Sequence, residues 1–108
     1  MIAMAIPVLP DKVDTWRAWA AELRGPRRAE FEAFNARYEL TTHKAWAQVN
    51  PDGSVLAIVV VDGPGQDGFM AAMMASSDPF DQWFIGTVMD VHGMDASTPP
   101  PPPAEQIL

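Results

Sequence analysis

The chain has 108 residues, 14 acidic against 7 basic side chains, a net charge of −7 and no cysteine. That length supports one domain, 1–108, built on one core. The charge excludes a nucleic-acid groove, since no basic stripe is available for phosphates, and it disfavours anionic membrane surfaces. The missing cysteines exclude disulfides, thiolate nucleophiles and Cys-ligated zinc.

An apolar share of 48% with 19% charged residues is the make-up of a soluble globular chain. No apolar run approaches the roughly 18 residues of a membrane helix. The apolar start is cut off by Pro7 and Pro10 and lacks the basic flank of a signal peptide. A cytoplasmic location is the expectation.

Ile2, Met4, Ile6 and Val8 alternate with Ala3, Ala5 and Pro7, which predicts a first strand that is apolar, and so covered, on both faces. Pro7 has no amide hydrogen and belongs near the strand's end. Asp11 then opens a helix on which Val13, Trp16, Ala20 and Leu23 recur at helical spacing, with Trp19 widening the stripe. Gly25-Pro26 ends it, Gly25 being expected as a left-handed cap. The helical pattern resumes over 27–39, with Phe31, Phe34 and Tyr38 on one side.

Residues 40–49 change to period two. Thr42, Lys44, Trp46 and Gln48 share one face, and His43, Ala45, Ala47 and Val49 share the other. Asn50-Pro51-Asp52-Gly53 is a turn, and the β-branched run over 55–61 is the return strand of a hairpin. The loop over 62–68 is glycine-rich but holds acids and no lysine, so it is not a phosphate loop. A short helix over 66–75 carries Phe69, Met70, Met73 and Met74.

The strongest helix signal comes next. Asp78 is its N-cap, Pro79 its first residue, and Asp81 stands where the macrodipole favours a carboxylate. Phe80, Phe84, Val88 and Val91 form the buried stripe, and Gly93 is the C-cap. Residues 95–104, with five prolines at 99–103, read as a stiff polyproline crossover to a last short strand at 105–108. The proline run would also suit an SH3-like domain, but a tether to a strand needs no partner.

The order β-α-α-β-β-α-α-β predicts an α+β fold: a ferredoxin-like plait, with a four-stranded antiparallel sheet and helices on one face. The other sheet face would be covered by a second copy, giving a homodimer in which two sheets close a dimeric α/β barrel.

In layout the chain resembles the L-rhamnose mutarotase family of the dimeric α/β-barrel group. The resemblance is carried by Pro10-Asp11, the hairpin over 48–61, Ala75-Ser76-Ser77-Asp78, Gln82-Trp83-Phe84 and the proline-rich tail. It implies a sugar-holding aromatic pair, which Trp83-Phe84 would supply. It also implies a general-acid histidine in the first helix, where this chain has Ala20, and a tyrosine where it has Trp16. Ile6-Pro7-Val8, Trp16, Trp46, the segment over 78–84 and His92-Gly93-Met94-Asp95 are similar to a family of small uncharacterised proteins, a domain of unknown function, which implies no activity.

The candidate chemistry is spread along the chain. His92, with Asp90 near it, has the type of a general base, or else is simply a cation at a helix C-terminus. Trp83, Thr87 and Asp90 form a second stripe that would offer a stacking surface and a carboxylate, or else lie at the core's edge. Trp46, Lys44 and Gln48 would line a lumen or plug a dimer interface, and Tyr38 and His43 would reach the same end. His43 and His92 have no third ligand, so no metal is expected, and a haem would need one of them as its axial ligand. The methionines would serve an adaptable pocket or fill core.

The expected function is binding of a small, partly apolar ligand in the sheet-lined cleft. His92 and Asp90 would be catalytic, and Trp83, Phe84, Trp46, Gln48, Tyr38 and His43 would contact the ligand. An enzyme on this frame would be a cofactor-free isomerase, cyclase or monooxygenase. The rival expectation is a non-catalytic binding or dimerisation module.

Overall fold

The computed structural model describes residues 1–95, 97 and 101–108. Strand β1 (Ile2–Val8) leads through a 3-10 turn at Pro10–Lys12 into helix α1 (Val13–Arg24), followed by α2 (Arg28–Arg37). The hairpin β2 (Thr42–Val49) and β3 (Val55–Asp62) comes next, then α3 (Phe69–Ala75) and α4 (Pro79–His92). The result is an α+β fold with a three-stranded antiparallel sheet in the order β1-β3-β2.

Hairpin register sets the two faces of the sheet. His43, Ala45, Ala47 and Val49 pair with Val61, Val59, Ala57 and Val55, and this set faces the helices. Lys44, Trp46 and Gln48 pair with Val60, Ile58 and Leu56 and share the opposite face with Ala3, Ala5 and Pro7. The first strand departs from its expectation of cover on both sides: Ile6 and Val8 are buried, whereas Ala5 and Pro7 are exposed. Its two faces are both apolar, but the helices lie over only one. Pro7 is the second-last residue of this edge strand, where its missing N–H costs no interior ladder bond.

The cap of α4 forms as its sequence dictates. The Asp78 carboxylate accepts from the Phe80 and Asp81 amides at 2.9 and 3.2 Å. At the other end Gly93 is left-handed, φ +65°. Its N–H reaches the Asp90 carbonyl at 3.3 Å and the Met94 N–H reaches that of Met89 at 2.8 Å, a Schellman closure. Gly25 differs from expectation. It ends α1 at φ −123°, not in the left-handed region, and the turn closes through Arg27 N–H to the Glu22 carbonyl at 2.8 Å.

The 62–68 loop owes Gly63 and Gly65 to a close approach. A Cβ on Gly65 would stand 1.9 Å from the Tyr38 carbonyl oxygen, so the loop fits over the α2–β2 turn only without a side chain there. Beneath it, Phe34 is 0% exposed. Its ring stacks on Phe84 at 4.6 Å and meets Phe80 and Phe69 edge-on at 5.5 and 5.9 Å. This aromatic cluster joins α2, α3 and α4, while Val8, Trp16, Val55, Ala57 and Val91 form the cluster joining β1, β3, α1 and α4.

The expected last strand is not formed: residues 105–108 are exposed and carry no strand. The tail touches the free edge of β1 where the Ala104 N–H donates to the Ala3 carbonyl at 2.7 Å. With Ile107 and Leu108 uncovered, little burial offsets the entropy of ordering four more residues. Of the expected polyproline crossover, Pro99 and Pro100 lie outside the described residues. No helix among the described residues is long and apolar enough to cross a membrane.

Candidate functional site

Between the helix-facing side of the sheet and the helices lies a cavity of about 80 Å³. Its walls are apolar: Met4 and Ile6 from β1, Trp16 from α1, Met73 from α3, and Phe84 and Val88 from α4. Each comes from the inward phase of its element, so the patterns that build the core also build the cavity. Both histidines of the chain line it.

Local bonds fix the form of each imidazole. His92 Nδ1 lies 2.8 Å from the Pro7 carbonyl oxygen, an acceptor only, so this nitrogen carries the hydrogen. His43 Nδ1 lies 2.9 Å from Asn35 Oδ1 and donates in the same way. Burial among Phe31, Phe69 and Phe84 pushes His43 down to a pKa of about 4, and burial lowers His92 against the opposing effect of its Pro7 bond. Both rings are therefore neutral at pH 7, each keeping an Nε2 lone pair that no described protein group engages. Such a nitrogen accepts a hydrogen bond or takes a proton from a substrate; His43, with its low pKa, is the weaker base of the two. Trp19 adds a donor. Its ring lines the cavity, and its buried Nε1–H has no acceptor among the described residues.

The structure gathers the expected residues selectively. His43, His92 and Phe84 share the cavity. Asp90 does not join them: it is paired with Lys12 at 3.3 Å on the surface and not with His92. Trp83 is turned toward Trp19 and Phe80, under the Arg27 guanidinium at 4.2 Å, and does not line the cavity. Trp46, 52% exposed, stands at the mouth beside β2, and Gln48 is exposed on the open face. The lumen expected to hold Trp46, Gln48 and Trp83 together is thus split between the two sides of the sheet.

Tyr38 also serves elsewhere. Its hydroxyl donates to Asp81 Oδ2 at 2.6 Å, and lost hydration followed by this bond raises its pKa. Asp81, only 1% exposed, accepts as well from Ser76 Oγ at 2.7 Å and from Arg37 Nη2. Sequence reasoning placed Asp81 at the helix dipole and missed this network, whose partners are distant in the chain. It also missed Trp19, for which inward helical spacing was the available signal; of the methionines weighed for an adaptable pocket, Met70, Met73 and Met94 line the cavity. Among the described residues, no group of three or more His, Cys, Asp or Glu side chains is arranged to hold a metal.

No protein-family model matches the chain, and no curated protein matches it significantly.

Proposed function

We propose that this protein binds a small, largely apolar molecule in the cavity between helices and sheet, and that it works as a homodimer paired through its open sheet faces. The observation that carries the binding reading is the cavity itself: apolar walls holding two neutral imidazoles and one unpaired indole N–H, a few polar groups that orient a ligand inside an apolar pocket. A reaction there would be proton transfer by an imidazole, as in a cofactor-free isomerase or cyclase. The pairing of Asp90 with Lys12 favours the second reading, a binding module without catalysis, because it takes from His92 the carboxylate expected to work with it.

Dimerisation through the sheet is supported by the open face, where Leu56, Ile58 and Val60 run beside Ala3, Ala5 and Trp46 with no helix over them. The tail meeting the β1 edge at Ala3 supports the ferredoxin-like plait of the dimeric α/β barrels, since a fourth antiparallel strand would join there.

Calorimetry with phenylacetamide, a neutral aromatic probe, tests the cavity. Wild type should bind it, and Ala45→Trp, which fills the space, should weaken binding at least about tenfold, or about 1.4 kcal/mol. Equal binding by both proteins rejects the cavity as the site. Sedimentation at micromolar concentration tests the pairing: a dimer is expected for wild type and a monomer for Ile58→Asp, which would bury an unpaired charge in the interface. A monomeric wild type removes the dimer reading.

A further inference from the structure

The cavity opens beside the edge strand β2 into a groove of about 430 Å³ that shares Trp19, His43, Ala45 and Phe84 with it. The charged residues lining this groove are Arg24 and Lys44, and no carboxylate lines it among the described residues, although the chain carries 14 acids. Lys12, Arg27, Arg28 and Arg37 are each held by a carboxylate. Arg17, Arg24 and Lys44 have no such partner among the described residues, and of these three Arg24 and Lys44 line the groove together. In a chain of net charge −7 most of the surface repels anions, so two unneutralised cations at the mouth make this the place where an anion would collect.

We propose that the ligand is a small carboxylic acid with an apolar body, its body in the cavity and its carboxylate held at the mouth by Arg24 and Lys44. This rests on the cavity being the binding site. Arg24 closes the last turn of α1, where the helix dipole favours a cation, and its planar fork matches the two oxygens of a carboxylate. Lys44 approaches from β2 as a second, single-point charge. The interior could not take the charge, because both imidazoles there are neutral and the remaining walls are apolar. The polarity therefore runs one way, with the acid at the rim. Trp19 spans cavity and groove and joins the apolar interior to the charged mouth.

Calorimetry comparing phenylacetate with phenylacetamide, which has the same shape without the charge, tests this. At low salt the acid should bind wild type about tenfold tighter, and the advantage should shrink as salt rises. In Arg24→Gln/Lys44→Gln the two probes should bind alike; both positions are exposed, so the fold is retained. If the amide binds wild type as well as the acid does, or if the preference survives in the double variant, the carboxylate assignment falls while the cavity reading stands. If neither probe binds wild type, both fall.

Discussion

Removing the Arg37 side chain should destabilise the protein by about 3–5 kcal/mol, more than removing the buried carboxylate it faces. Asp81 is 1% exposed and Arg37 is 44% exposed. Arg37→Ala therefore leaves an anion in the interior with only the Tyr38 and Ser76 hydroxyls to hold it. It also releases the weaker contact to Asp78 Oδ1 at 3.8 Å, beside the α4 cap. Asp81→Ala instead frees a cation that turns to water and two hydroxyls, a loss of about 1–3 kcal/mol on the scale of unmade hydrogen bonds. Urea unfolding of both variants reads the order directly. If Asp81→Ala proves the costlier, Asp81 is not the desolvated partner that its burial implies.

Acidification should destabilise the protein through His43, and the effect should vanish in His43→Gln. The imidazole is held at about 4, against 6.5 for a free histidine. A pKa lowered by folding means that the unfolded chain binds the extra proton between those values. This part of the stability is complete above about pH 6.5, declines as pH falls toward 4, and declines no further below that. Roughly 2.5 pKa units at about 1.36 kcal/mol each make the loss about 3 kcal/mol. His92, lowered in the same direction, adds to it. Carboxylates titrate in both proteins, so the informative quantity is the difference between the two curves from pH 7 to pH 4.5. Parallel curves would mean that His43 is as hydrated folded as unfolded. Glutamine keeps an amide able to meet Asn35, which limits the cost of the substitution itself.

Much of the fold was legible because its signals are local. Asp78-Pro79 and Gly93 bracket α4 through bonds to residues at most five positions away, and the Asn50 turn with period-two flanks specifies the hairpin and its two faces. What escaped depends on cover. An apolar strand face reads the same whether a helix lies over it or nothing does, so β1 was expected to be buried twice. The tail at 105–108 has strand-like residues but no burial to hold them. For the site, the sequence identified His43, His92 and Phe84 but not their meeting. His43 shares its strand face with Ala45 and Ala47, opposite Trp46 and Gln48, so the period-two pattern already separated residues that were expected to share one lumen. Arg24 was passed over, and Lys44 was grouped with Trp46 and Gln48 and not with Arg24, because a cation's lack of partners is visible only in space.

The strand order carries a consequence for how binding is felt by the whole molecule. β2 and β3 meet across a tight turn, whereas β1 meets β3 only after both early helices and the hairpin have been placed between them. Closing so long a loop is the entropically late step of assembly. Met4 and Ile6 of β1 are walls of the cavity, so the cavity is complete only with β1 docked on β3. A half-assembled chain has nowhere to hold a ligand. On the proposed binding role, a molecule held there would raise the free energy of unfolding by the mass-action term for a ligand that binds the native state alone.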